Sequence, residues 1–241
     1  MSKDEIYKQP IQNIEDFTFD HAVSDAFDDM VDRSVPGYRT LIANIGPIAA
    51  HFLQQHSHCY DLGCSHGAAA LSVYQHRPSD DIMIHAIDNS VAMIEKCKAL
   101  IKQTGAENII STRLADISEV SLNQASVIIL NLTLQFIPPS KRKLLLENIY
   151  SNLLDGGACI LTEKIILQNE QQEQLFQQLH TRFKSANQYS QLEISQKRKA
   201  LENVLIRESL ETHQKRLLDL GFSKVYTWFQ CINFVSILAI K

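Results

Sequence analysis

The chain has 241 residues, a formal net charge of -4, 45% hydrophobic residues and five cysteines. That length suits one core, as a single α/β domain with one insertion, and the mild acidity argues against a large electrostatic footprint for nucleic acid. No apolar run reaches membrane-spanning length, the N-terminus lacks a signal-peptide core, and scattered cysteines without C-x-x-C fit reduced thiols in a cytoplasm, not a disulfide frame or zinc site.

Residues 1 to about 16 are polar, contain Pro10 and lack a period, which predicts a loose arm. From Phe17 an apolar pattern through Val23, Phe27, Met30 and Val31 turns helical near Ser24. Its acids, Asp20, Asp25, Asp28, Asp29 and Asp32, read as a solvated face. Pro36-Gly37 sets a turn, and a helix is predicted from Arg39 to Gln55. His51, His56 and His58 do not share one helix face, so ordinary surface histidines are expected there and no metal site.

The central stretch is Cys59-Tyr60-Asp61-Leu62-Gly63-Cys64-Ser65-His66-Gly67. It reads as a short strand ending at Asp61-Leu62, a glycine-containing turn, and a helix opening near Gly67. At such a junction an open α/β sheet binds nucleotide-like ligands. The dinucleotide spacing G-x-G-x-x-G is absent; the pattern is Asp-x-Gly-x-Ser-x-Gly.

After a helix over Ala68–Gln75, Ile82 to Ile87 is a nearly continuous apolar run, as a buried parallel strand should be. It ends in Asp88-Asn89, about twenty residues beyond Gly67, where such folds bind ribose hydroxyls. The alternative for Asp88 is a cap on the next helix. Ser90 can start that helix and Gly105 can stop it. Asn108 to Arg113 follows as a third strand, then Asp116 and Ile117. Ser126 to Leu130 is the fourth and most apolar strand, running into Asn131 and Pro138-Pro139. Asn131 can accept from an ammonium or only shape the turn. A helix to Leu154, then Ala158 to Glu163 as a fifth strand, completes the regular alternation.

Residues 168–215 are polar, Gln-rich and helical in pattern, and predict a helical cap insertion at the ligand end of the sheet. The basic run Gln196-Lys197-Arg198-Lys199-Ala200 within it reads as a solvated face. The last two apolar runs, Phe222–Gln230 and Ile232–Ile240, predict an antiparallel hairpin. The expected fold class is therefore α/β and Rossmann-like, with residues 1–55 as an N-terminal arm and helices; a closing antiparallel pair on a mostly parallel sheet resembles the class I methyltransferase fold, which implies seven strands in the order 3-2-1-4-5-7-6.

The Asp-Leu-Gly-Cys-Ser turn resembles the first motif of class I S-adenosylmethionine (SAM)-dependent methyltransferases, with Ser65 at the middle-glycine position. Base amino-methyltransferases often carry Asn/Asp-Pro-Pro-aromatic after the fourth strand; this chain does not. Together with Phe27-Asp28-Asp29-Met30, Arg33-Ser34-Val35-Pro36-Gly37-Tyr38 and Lys197-Arg198-Lys199-Ala200-Leu201-Glu202-Asn203-Val204, the turn makes the whole chain similar to the bacterial carboxy-S-adenosyl-L-methionine synthases.

That resemblance implies SAM as a substrate and no metal. It implies prephenate as carboxyl donor, leaving as phenylpyruvate. It also implies a homodimer, and a product used by a tRNA carboxymethyltransferase at the wobble uridine, with no direct nucleic-acid binding. It carries ligand contacts to Tyr38, Gly63, Cys64, Ser65, Asp88, Asn89, Asp116, Ile117 and Asn131, and carboxylate binding to Arg198. Alternatives are a conventional SAM-dependent methyltransferase acting on a small molecule or tRNA, and a non-catalytic SAM-binding scaffold.

Overall fold

A computed structural model describes residues 2–241. Seven strands form one sheet in the order β3-β2-β1-β4-β5-β7-β6. They are β1 (His58–Leu62), β2 (Met83–Asp88), β3 (Ile110–Leu114), β4 (Ala125–Asn131), β5 (Leu153–Lys164), β6 (Lys224–Cys231) and β7 (Phe234–Ile240). β1 to β5 pair in parallel, whereas β7 runs antiparallel to β5 and to β6. The expected topology is therefore present, including the closing hairpin.

The eight helices are α1 (His21–Ser34), α2 (Tyr38–Phe52), α3 (Ala68–His76), α4 (Val91–Thr104), α5 (Pro139–Asn152), α6 (Glu170–Ala186), α7 (Gln191–Leu201) and α8 (Leu210–Asp219). Their ends follow local chemistry. Asp20 caps α1 by accepting from Val23 N, and Ser90 caps α4 by accepting from Met93 N. Gly105 ends α4 with a φ of 67°, in the left-handed region that glycine enters without strain. Ser190 and Glu193 make a reciprocal capping box on α7.

β4 is buried from Ala125 to Leu130, because helices cover both faces of the sheet there. Each large side chain in it, such as Ile128 or Leu130, contributes about 1.5–3 kcal/mol by leaving water. One apolar cluster joins α2, α3 and α4 to one face; a second joins α5 and α8 to the other. A third holds Phe17, Val23, Met30, Met93 and Ala200, tying α1 to α4 and α7 over the ligand end of the sheet.

Two expectations change here. The N-terminal arm is docked, not loose. Asp4 is 2% exposed and accepts from Tyr189 Oη and from Lys197 Nζ (3.3 Å), while its own N–H donates to Asp29 Oδ2 at 2.7 Å. Gln196 accepts from Ile11 N at 2.7 Å and donates to Tyr7 O and Gln9 O, both at 2.9 Å. The basic run is therefore not uniformly solvated: Gln196 and Lys197 are buried beneath the arm, while Arg198 and Lys199 are exposed. The acids of α1 are also largely engaged. Asp25 meets Lys96, Asp28 meets His66, Asp29 meets Arg33 and Asp32 meets Arg39.

Among the described residues no helix is long and apolar enough to cross a membrane, and no group of three or more His, Cys, Asp or Glu is placed to hold a metal. His58, one of the three clustered histidines, instead lies 3.0 Å from His85, Nδ1 to Nε2.

Candidate active site

The carboxyl ends of β1 to β5 open into a cavity of about 350 Å³, roofed by the arm, α1, α6 and α7. That volume suits a small-molecule site. Nine of the ten residues expected from the sequence line it: Tyr38, Gly63, Cys64, Ser65, Asp88, Asn89, Asp116, Ile117 and Asn131.

The turn after β1 is pinned from below, since Gly63 N and Cys64 N both donate to Ile87 O, at 2.8 and 2.9 Å. Gly63 has φ 77°, and a Cβ there would sit 2.5 Å from Thr133 Oγ1. Both the backbone shape and the close approach require glycine. Ser65 occupies the left-handed region at φ 49°, so the serine in the usual glycine position keeps the glycine-like turn. Its N–H donates to Asp88 Oδ2 at 2.8 Å, and Ser90 N donates to Asp88 Oδ1 at 2.9 Å. Asp88 is thereby aimed, but it is Ser90 that caps α4. Leu132, just past β4, has φ 60°, a strained backbone for a branched side chain, at the cavity wall.

Two buried oxygens face this end without a partner, Asp61 Oδ1 and Asn131 Oδ1. A buried acceptor left bare is costly, so each calls for a donor from a ligand. The ammonium of an amino-acid moiety meets both. Asp88 retains free lone pairs for vicinal hydroxyls. The residues present thus fit SAM on their own chemistry: a glycine cradle, a hydroxyl-accepting carboxylate and two orphaned acceptors.

The Asp61 carboxyl is pushed up to about 7 by burial, with the Asp88 charge adding and the Ala70 N–H opposing. An ammonium is held by the carboxylate and not by the neutral acid. Affinity for SAM should therefore fall as pH drops below about 7, approaching tenfold per pH unit. Asp61→Asn should weaken binding at high pH and flatten the profile. Calorimetric titration across that range checks this, and an unchanged slope in the variant would exclude Asp61 as the titrating group.

The opposite end is cationic. Lys164 closes β5, and Lys184 and His180 descend from α6. Burial draws Lys164 down to about 8, helped by Arg207 and Arg198 and opposed by Glu173. Burial also brings Lys184 well below the usual lysine range, with Lys164, Lys197 and Arg198 adding. His180 falls to about 2 for the same reasons, so it is a neutral imidazole whose Nε2–H donates to Ser34 O at 2.8 Å. Adjacent strands lie about 4.8 Å apart, so β5 runs about 10 Å from β1, and the register sets Asp61 level with Ile160, four residues before Lys164.

Arg198 is the expected site residue that stands outside the lining. It is exposed, and its Nη2 donates to Thr181 Oγ1 at 3.4 Å. The reason is helical phase: α7 turns Lys197 and Leu201 to the cavity, and the next residue is rotated by about 100°. The guanidinium lies beside α6, near enough to depress Lys164 and Lys184. Sequence reasoning did not single out Lys164, Lys184, His180, His66 or Thr133. Lys164 carried one usable signal, its place at the carboxyl end of a parallel strand.

Comparison with known proteins places the chain in a family. A family profile described as "Methyltransferase domain" matches residues 60–157. The carboxy-S-adenosyl-L-methionine synthase of Trichlorobacter lovleyi is 52% identical over 239 residues, covering 99% of this chain and 98% of that protein. The Vibrio cholerae protein of the same name is 47% identical, covering 99% and 97%. Among solved structures, magnesium protoporphyrin IX methyltransferase from Synechocystis superposes with a TM-score of 0.61 at 12% identity, covering 88% of this chain and 87% of that one, which shows the shared fold. With this fold, this cavity and near full-length identity, the chain belongs to the carboxy-S-adenosyl-L-methionine synthase family, transferase-type enzymes on the class I methyltransferase fold.

Proposed function

We propose that the protein converts SAM and prephenate into carboxy-SAM and phenylpyruvate. The observation that carries this reading is the division of one cavity into a carboxylate-lined end and an end where two lysines, Lys164 and Lys184, have no acid partner. The first suits a sulfonium amino acid with ribose hydroxyls. The second suits a carboxylate co-substrate, which a conventional methyl acceptor has no need to be.

Tyr38, Gly63, Cys64, Ser65, Asp88, Asn89, Asp116, Ile117 and Asn131 hold the nucleoside and amino-acid parts. Arg198 lies outside the cavity lining, bound only to the Thr181 hydroxyl, and in this reading its long side chain turns inward to fork the transferred carboxylate with two parallel bonds. The donor loses its ring carboxyl as carbon dioxide. The electron pair of the broken C–C bond enters the ring, which becomes aromatic, and the ring hydroxyl leaves as hydroxide. That hydroxide takes a proton from the sulfonium methyl and becomes water. The resulting carbanion forms a C–C bond to the carbon dioxide.

The sequence of bonds needs no strong protein base. It needs both reactants in contact and water kept out, tasks that in this reading fall to the roof of arm, α1, α6 and α7. The protein acts as a homodimer in this reading, and its product serves a tRNA carboxymethyltransferase at the wobble uridine.

Incubation with SAM and prephenate, followed by mass spectrometry, tests the reading. A SAM species heavier by one carboxylate should appear together with phenylpyruvate. Arg198→Ala should lower kcat/KM for the donor by roughly tenfold to a hundredfold, the worth of a charge-assisted pair, while SAM still binds. Recovery of only demethylated SAM, with prephenate unconsumed, would sink it in favour of a methyltransferase.

A further inference from the structure

Lys164 and Lys184 are peculiar among the cations of this protein. Both line the cavity, and among the described residues neither Nζ has a hydrogen-bond or ion-pair partner. Their neighbours are committed elsewhere. Lys197 is paired with Asp4 at 3.3 Å. Glu173, the acid that acts on Lys164, accepts from Arg207 Nη1 at 2.6 Å, from Gln177 Nε2 at 2.7 Å and from Leu167 N at 2.9 Å. No acid faces the two amines from α6, α7 or β5 that is not already engaged.

The same corner has an aromatic floor. Lys164 Nζ stands 5.8 Å from the Phe234 ring centroid, and the His180 ring packs edge-on to that ring at 5.2 Å. Phe234 lines the cavity too. Two half-buried amines beside one another repel, and without counter-charge each is costly. An arriving anion relieves that cost.

We propose that Lys164 and Lys184, with Phe234 beneath them, form a second anion subsite that binds the side-chain carboxylate of the donor, the one that is not transferred. The inference rests on the function proposed above and adds to it. Arg198 then serves the carboxyl that moves, and the lysine pair selects donors that carry two carboxylates. A six-membered ring lies on Phe234 between them. Monocarboxylate analogues lose one of the two anchors.

Lys164→Gln and Lys184→Gln remove one charge each with little change of size. Each should raise the donor KM by roughly tenfold to a hundredfold, with SAM affinity by calorimetry unchanged within about twofold. Lys164→Arg, which keeps the charge, should recover most of the loss. In the wild type the donor KM should rise with pH above about 8, as Lys164, drawn down by burial and by Arg207 and Arg198 against Glu173, loses its proton. Lys164→Gln should abolish that rise. A purely structural role would move neither the pH profile nor the KM selectively.

A donor analogue with its side-chain carboxylate masked as an amide should bind the wild type as weakly as the true donor binds the variants. If SAM affinity falls instead and donor KM does not, the amines hold the methionine carboxylate and the proposal is overturned. Unchanged donor KM in both variants also overturns it while the wild type turns over. Absence of carboxylated product from the wild type itself would remove the underlying function, and this inference with it.

Discussion

Replacing Arg142 by methionine should lower the free energy of unfolding by about 3–5 kcal/mol, the usual consequence of breaking a buried ion pair from one side. The Arg142 side chain is fully enclosed. Its Nε donates to Ile137 O at 2.8 Å, Nη1 to Glu208 Oε2 at 2.6 Å, and Nη2 to Ile206 O at 2.7 Å and Gln135 O at 3.3 Å. One guanidinium on α5 therefore ties the loop after β4 to the segment between α7 and α8. Methionine fills the space and leaves the Ile137 and Ile206 carbonyls bare, while Gln135 O keeps its bond from Ile206 N and Glu208 loses one donor.

Arg216 still reaches Glu208 at 2.9 Å, which keeps the loss from being larger. Glu208 is held down at about 2 by Arg216 and Arg142 against the opposing effect of burial. A depressed carboxylate stabilises the fold above its unfolded pKa and loses that contribution as pH falls toward the folded one. The wild type should therefore weaken as pH drops from about 4.5 toward 2, and Arg142→Met should show a shallower fall over that window. Urea unfolding at several pH values reads both effects. Because Gln135, Val204 and Leu205 line the cavity on either side of this tie, donor binding should weaken as well.

Gly63→Ala should abolish detectable SAM binding while costing about 1–3 kcal/mol of stability, the range for backbone held in a poorly populated region. Two separate causes act at Gly63. Its φ of 77° disfavours any side chain, and the new methyl would meet Thr133 Cγ2 and Oγ1. The turn cannot sink away, because Gly63 N and Cys64 N are bonded to Ile87 O. It can only lift toward the ligand or push Thr133 aside. Thr133→Ala in the same chain removes the two nearest atoms and leaves Thr133 Cβ at 3.0 Å and the dihedral cause, so it should restore part of the stability and part of the binding. Full restoration would mean that φ does not matter here; none would mean that Thr133 is not the obstacle.

The sheet was legible in the sequence because its signals are local. Ile82 to Ile87 and Ser126 to Leu130 are nearly continuous apolar runs, each ended by polar turn residues, while the order of strands came from the resemblance to the class I methyltransferase fold. The site residues on strand ends were legible for the same reason: Gly63, Asp88, Asp116 and Asn131 each directly follow or close a strand. Features that depend on distant partners were not. Asp4 and Lys197 are 193 residues apart, and nothing in the period of either segment marks them as a buried pair. Arg142 sits in a helix whose neighbours Lys141 and Lys143 are exposed, so its burial leaves no pattern. The orientation of Arg198 turns on the rotation of α7, which periodicity of so polar a helix does not define. Lys164 and Lys184 are single lysines on different elements, brought together only by the approach of α6 to the end of β5.

Carboxyl transfer between the two halves of the cavity is tested most directly with prephenate carrying carbon-13 in its ring carboxyl only. After incubation with unlabelled SAM, the label should appear in the new carboxymethyl group on sulfur and be absent from phenylpyruvate. Label that stays in the donor, or a methyl group lost from SAM with no labelled product, would contradict it.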